Sequence, residues 1–312
     1  MDLFATTVSS IVVNTNSESK INNSALGRSR LGSLSIGALV VLSAAAIGGV
    51  QYGIGGIDDS VLKVVVIGWV ACGAMVGGAW LGGRADETDP FGLVWGYGLA
   101  SGAMIMSAAM FLVPQAIGLA GSVGTPQFGG IGLAIGVILG YSAHTIGHRL
   151  THLDLSMDIT AAQISAHALS AGAIIGIVYG SMPSLGLLLG LAIVSHKGPA
   201  GYAAARRLRR DGRPVAVLLL PAAGVGLTAI PTAVLPIPEQ PIVNAVVFGF
   251  AAGIFLHVAM DFLPKCETGS EIDQVLSLEE NSHHLLDQLR THAVASTLAG
   301  SFVVVAAWFV VG

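Results

Sequence analysis

The chain has 312 residues, of which 53% are hydrophobic and only 10% charged, with a formal net charge of −4. Soluble domains carry about 25% charged residues, and the mean hydropathy here is +0.77. This composition excludes an ordinary water-soluble domain, gives no reason to expect nucleic acid as a partner, and points to a lipid bilayer as the solvent.

Residues 1–32 are rich in Ser, Asn and Thr and include Arg28 and Arg30. They lack a basic start leading into an apolar core, so they read as a polar tail rather than a cleaved signal. The rest, 33–312, reads as one transmembrane domain. No Asp, Glu, Lys or Arg occurs from Pro90 to His148, from Ile159 to His196, or from Ala293 to Gly312. A membrane-crossing helix needs roughly 20 apolar residues, and nine spans are expected, at about 33–55, 62–83, 91–118, 129–150, 159–181, 184–207, 213–236, 241–264 and 291–311. Breakers such as Asp89-Pro90, Gly124-Thr125-Pro126, Met182-Pro183 and Asp211-Gly212 separate them. One longer loop, about 265–290, holds Glu267, Glu271, Asp273, Glu279, Glu280 and Asp287. The spacing of Ile272, Val275, Leu276, Leu285, Leu286 and Leu289 predicts a short amphipathic helix there. Cys72 and Cys266 form neither a disulfide framework nor a Cys-rich metal site.

Alternate connections carry the basic residues: Arg28 and Arg30, Arg84, Arg149, then Arg206, Arg207, Arg209, Arg210 and Arg213, and finally Lys265 and Arg290. The opposite connections hold Asp58, Asp59 and Glu239. Because positive loops stay in the cytoplasm, the reading is a multi-pass protein of the cell membrane, N-terminus cytoplasmic and C-terminus outside.

Tyr97 to Gln115 reads YGLASGAMIMSAAMFLVPQ and Phe248 to Lys265 reads FGFAAGIFLHVAMDFLPK. Both open on an aromatic residue and Gly, and both close on Phe-Leu and Pro. By the span order they run in opposite directions. Between them, His167 to Gly172 (HALSAG) and His196 to Gly201 (HKGPAG) share a His-x-x-x-Ala-Gly pattern. Inverted repeats flanking polar helices are a recurrent plan of secondary transporters, with the site at the repeat interface.

His167 and His196 fall near the middle of adjacent spans, where polar side chains are costly and mark functional sites. Two of them at matching depth point to a shared metal or proton site. Lys197 follows directly, and an ammonium at that depth costs about 2.5–3.5 kcal/mol on insertion scales. Pro199 removes an N–H donor from the same helix. His144, His148 and His152 recur every four residues, so they form one stripe toward the cytoplasmic face that could handle metal there.

These motifs resemble the ZIP family of divalent metal transporters, and the resemblance spans nearly everything after about residue 60. His167-Ala168-Leu169-Ser170-Ala171-Gly172 has the spacing of the family's His-Asn-x-x-Glu-Gly helix. His196-Lys197-Gly198-Pro199-Ala200-Gly201 is similar to its His-x-x-Pro-Glu-Gly helix, and a subgroup also reads His-Lys-Gly, with the ammonium standing where a second metal would sit. Ala251 to His257 and on to Pro264 resembles its seventh core helix. The resemblance implies an all-α 3+2+3 inverted-repeat bundle of eight core helices, here with one extra N-terminal helix, and it allows a homodimer.

The resemblance places His167 and His196 among the ligands of the primary metal site. The family's two carboxylates fall on Ala171 and Ala200, its Asn on Ala168, and a common Glu of the sixth helix on Ile230. Gln163, Ser170, His257 and Asp261 are the candidates to line the path and make up the deficit. The expected function is secondary transport of a divalent transition metal, zinc foremost, toward the cytoplasm, with the metal as cargo and no resident cofactor. The alternative is a ZIP-fold membrane protein that has lost metal transport and acts on another solute, or as a binding or regulatory protein. An intramembrane metalloenzyme is disfavoured, because there is no His-Glu-x-x-His and no Glu inside any span to serve as general base.

Overall fold

The computed structural model describes residues 30–53, 59–86, 89–150, 159–182, 188–235, 240–265 and 282–311. Every regular element among them is helical. In chain order these are α1 (Arg30–Gln51), α2 (Asp59–Gly82), α3 (Pro90–Ser107), α4 (Val113–Gly121), α5 (Gln127–Leu150), α6 (Ile159–Ser181), α7 (Leu188–Arg210), α8 (Leu219–Ala233), α9 (Pro241–Asp261) and α10 (Ser282–Val311). Six of the described helical stretches are long and apolar enough to cross a membrane: Arg30–Gln51, Ser60–Gly82, Pro90–Gly121, Val215–Ala233, Pro241–Asp261 and His284–Val310. In α5 and α6 the apolar stretches are shorter, Gln127–Ser142 and Ile164–Gly180. The protein is therefore an all-helical membrane protein, and α7, which carries His196 and Lys197, is among its more polar helices.

Local chemistry sets several boundaries. Asp89 caps α3, accepting hydrogen bonds from the backbone N–H of Phe91 (3.0 Å) and Gly92 (2.9 Å). Pro90 occupies the first helical position, where its missing N–H costs nothing. Gly212 takes a positive φ of 64° to turn the chain out of α7. Between α3 and α4 the helix widens into a π segment, Ala108–Leu112, where the Val113 N–H reaches back five residues to Ala108 O. Pro114 follows at once. It has no N–H to offer the preceding turn, and the wider turn accommodates that loss.

The last helix starts earlier than its sequence suggests. Leu285, Leu286 and Leu289 belong to the first turns of α10, which begins at Ser282 rather than near 291. Leu289 is fully buried against Leu93 and Val94 of α3. These three leucines continue the last helix, whereas Ile272, Val275 and Leu276 of the same expected helix lie outside the described residues. Residues 1–29 and 266–281 lie outside the described residues.

Four helix pairs meet through small residues, and each pair runs in parallel. A methyl group at Gly78 of α2 would overlap the Gly198 carbonyl of α7, and one at Gly82 the Tyr202 carbonyl. On α5, Gly129, Gly132 and Gly136 meet α9 at Gly249, Val246 and Phe250. On α3, Gly98 and Gly102 meet Ser296 and Thr297 of α10. On α6, Gly172 and Gly176 meet Val225 and Ala229 of α8. In lipid the hydrophobic effect does not bring helices together, so close backbone approach and cross-helix hydrogen bonds must. Thr228 donates to Leu169 O (2.6 Å) and Thr232 to Ala173 O (3.2 Å) across α6–α8. Ser296 donates to Val94 O (3.3 Å) and Ser301 to Gly102 O (3.1 Å) across α3–α10. In addition α2 lies against α8, α3 against α7 and α9, and α6 against α7. The α1 helix lies on α8 and α2, where Trp69 donates its indole N–H to Ser43 Oγ (3.0 Å).

Candidate functional site

The α6–α7 contact brings His167 and His196 together. Their ring centroids are 5.9 Å apart with the planes tilted by 57°. Both ring nitrogens of His167 are sealed from solvent and make no hydrogen bond, and Nε2 of His196 is sealed as well. A buried imidazole nitrogen without a partner forfeits its hydration and gains nothing in return. Such a group in a native interior is a place where a water or an ion can bind.

The third wall comes from α9. Phe255, 4% exposed, stands edge-on to both imidazoles, with centroids 5.2 Å from His196 and 6.0 Å from His167. It shares a face of α9 with buried Phe248, Ala251, Ala252 and Ala259, the spacing of one helical stripe. Sequence reasoning missed it as a site residue. No sequence signal singled it out, since Phe248 stands on the same face.

Lys197 is 2% exposed, and no carboxylate among the described residues forms an ion pair with it. Ala171 and Ala200 are both buried. Each follows its histidine by four residues, hence on the same helix face one turn on. Among the described residues no three His, Cys, Asp or Glu side chains converge as a metal cage. The contact thus presents two imidazoles and a phenyl ring, with the buried Lys197 next to His196 along α7.

The remaining candidates are placed as follows. Ser170 donates its hydroxyl to His167 O of its own helix (3.0 Å) and is half-buried. His257 is buried in the α5–α9 contact, where its ring fills the space beside Gly140. Its Nε2 lies 3.5 Å from Asp261 Oδ2, and Asp261 is partly exposed at the end of α9. Gln163 belongs to α6, and His144 and His148 belong to α5, but their side chains lie outside the described structure. His152 lies outside the described residues altogether.

Two features surround the site without entering it. A groove of about 560 Å³ opens between α2, α3 and α7, lined by Gly73, Gly77, Gly96, Trp95, Pro199 and Tyr202 among others. Neither histidine lines it. At the far end of α7, Arg206 is 4% exposed. Its guanidinium donates to Asp86 O and to Asp89 O (2.6 Å) and lies 3.9 Å from the Asp89 carboxylate. Arg209 donates to the carbonyls of Gly83 and Ala85. Together they fasten α7 to the α2–α3 connection, so the Arg cluster read from sequence as a topology signal also ties helices together.

No protein-family model matches the chain, and no curated protein matches it.

Proposed function

We propose that the protein is a secondary transporter of the ZIP type that moves a divalent transition metal, zinc foremost, toward the cytoplasm through the His167–His196 pair. The observation that carries this reading is two imidazoles from neighbouring helices, 5.9 Å apart, with the His167 nitrogens buried and without hydrogen bonds. A metal about 2.0–2.1 Å from one nitrogen of each ring, at a tetrahedral angle, would hold the centroids roughly 5 Å apart. The observed spacing needs only a small inward shift to meet that. Neutral imidazoles suit Zn²⁺, Cu²⁺ and Ni²⁺ better than Mg²⁺ or Ca²⁺.

The architecture belongs to the same proposal: eight core helices, α2 to α10 with α3 and α4 counted as one, in a 3+2+3 inverted repeat, with α1 added. Exchanging α2 with α8, α3 with α9, α5 with α10 and α6 with α7 turns the α2–α7 contact into α8–α6. It likewise turns α3–α10 into α9–α5, and all four contacts are present. A two-fold exchange of this kind supports inverted repeats, with the histidines on the central pair. The N-terminus is cytoplasmic and the C-terminus outside, on the distribution of arginines.

The alternative, a ZIP-like fold serving another solute, draws support from buried Lys197, which makes no ion pair with a carboxylate among the described residues. Uptake of Zn²⁺, Co²⁺, Ni²⁺ and Mg²⁺ into proteoliposomes, with and without a pH gradient, tests the choice. Saturable uptake of the transition ions and not of Mg²⁺ is the expected result. Uptake of none of them transfers the site to another solute.

A further inference from the structure

We infer that the groove between α2, α3 and α7 holds one acyl chain of an anionic phospholipid, with the lipid phosphate on the Arg84 guanidinium. The inference is independent of what the histidine pair carries, and it follows from shape and from charge.

Gly78 and Gly82 of α2 bring that helix against α7, but Gly73 and Gly77 do not: both are exposed along the groove, and a methyl group at either meets nothing within 4 Å. Leu99 and Pro199 line it further, and no charged side chain does so among the described residues. Trp95 forms one wall, its indole N–H donated to His292 Nδ1 (3.0 Å), which holds the ring in place. Gly73 lies near the middle of the Ser60–Gly82 span and Leu81 at its end, about 12 Å along the helix. The hydrocarbon of one leaflet is about 15 Å deep, so the groove runs from mid-bilayer to the interface. Over that length its 560 Å³ leaves a width of roughly 7 Å. A helix with its side chains is about 10–12 Å across, so the groove suits a single hydrocarbon chain and is too narrow to seat a helix.

Charge selects the lipid. Arg84 follows α2 directly, at the Leu81 end of the groove. Its guanidinium lies over the Trp80 ring, 3.8 Å from the centroid, and Trp80 is 56% exposed. A Trp at the end of a span marks the headgroup level, so the stacked arginine is held at the depth of the phosphates. Stacking occupies the face of the guanidinium and leaves its N–H edge for a bidentate contact with phosphate. The neighbouring charges are otherwise engaged. Arg206 and Arg209 donate to carbonyls of the α2–α3 connection, and the Asp89 carboxylate serves the α3 N-terminus and Arg206. Among the described residues no carboxylate pairs with Arg84. A zwitterionic lipid brings its own cation beside the phosphate, whereas an anionic one leaves its charge for the arginine.

The test uses Trp95 as the reporter, in full-length protein carrying Trp69→Phe, Trp80→Phe and Trp308→Phe, which leaves it the only one of the four tryptophans. Phe at position 80 keeps a ring beneath Arg84. In phosphatidylcholine nanodiscs, lipids with brominated chains quench a tryptophan they touch. Brominated phosphatidylglycerol should quench Trp95 with about fivefold the apparent affinity of brominated phosphatidylcholine. Arg84→Gln should bring the two lipids to the same affinity. Gly77→Leu, which fills the groove, should reduce quenching by both while the melting temperature stays that of the parent. Equal quenching by the two lipids in the parent would overturn the headgroup contact, and so would a preference that survives Arg84→Gln. Little quenching by either lipid, in a protein that light scattering shows to be a dimer, would give the groove to a second copy of the chain and overturn the inference.

Discussion

The phenyl ring of Phe255 meets the imidazole of His196 edge-on at 5.2 Å between centroids, and the same ring reaches His167 at 6.0 Å. One apolar side chain from α9 thus fixes the outer side of two histidines carried by α6 and α7. Edge-on aromatic pairs contribute about 0.5–1.5 kcal/mol beyond area burial. Their larger effect here is to hold the two rings in place beside each other. Phe255→Ala should weaken Zn²⁺ binding by about tenfold, while Phe255→Tyr, which keeps the ring, stays within about threefold of the parent. Calorimetric titration of both variants, beside their melting temperatures, separates loosened ligands from an unfolded protein.

The glycine seams supply their own control. A methyl group at Gly253 would run into the Leu133 carbonyl, and one at Gly136 into the Phe250 carbonyl. Around Gly73 and Gly77 a methyl meets nothing within 4 Å. Forcing atoms into a packed interface costs about 1–3 kcal/mol. Gly253→Ala and Gly136→Ala should therefore lower the melting temperature in detergent. Gly73→Ala and Gly77→Ala should leave it unchanged or raise it slightly, since Ala favours the helix. Equal effects at all four positions would argue against the α5–α9 seam.

Arg206 gives a third expectation. Its guanidinium serves two backbone carbonyls and a carboxylate of the α2–α3 connection at once, which the planar fork of Arg can do and the point charge of Lys cannot. Arg206→Lys should destabilise the protein by about 1–3 kcal/mol, nearly as much as Arg206→Ala. Thermal unfolding of the two variants measures this. A lysine variant as stable as the parent would reduce the contact to simple charge pairing.

Sidedness follows from the same cluster. In a background lacking Cys72 and Cys266, a cysteine at Asp211 should react with an impermeant maleimide only from the cytoplasmic side. One at Gln240 should react only from outside. Both positions are exposed in the structure. Labelling of the two from one side would remove a span from between them.

Helix positions were legible because lipid imposes a coarse rule, long apolar stretches bounded by charge and breakers, and the sequence obeys it from Ser60 to Gly82 and from Pro241 to Asp261. The rule is weakest where function intrudes. α7, with its Lys197 and closing arginines, does not pass as a membrane span by length and hydropathy. The π segment at Ala108–Leu112 was not legible, since a proline in a span can kink, widen or end a helix depending on its neighbours. The meeting of His167 with His196 could be read from shared motifs and matching depth. Phe255 could not, because its helix lies far along the chain and helical periodicity does not say which neighbour a face will meet. For the same reason His257 and Asp261, proposed from their place in a late span, turned out to lie beside each other at the α5 side of α9.

The most direct test of the account is equilibrium dialysis of Zn²⁺ against the purified protein and three variants, His167→Ala, His196→Ala and the double substitution. On the proposed reading the two imidazoles are the side-chain ligands among the described residues, so losing either removes half of that set. The parent should bind one ion per protomer, more weakly as the pH falls, because protons compete for the same ring nitrogens. Each single variant should nearly abolish that binding, and the double variant should be little worse than either. Single variants that bind Zn²⁺ as the parent does would contradict the account and remove the metal from this chamber.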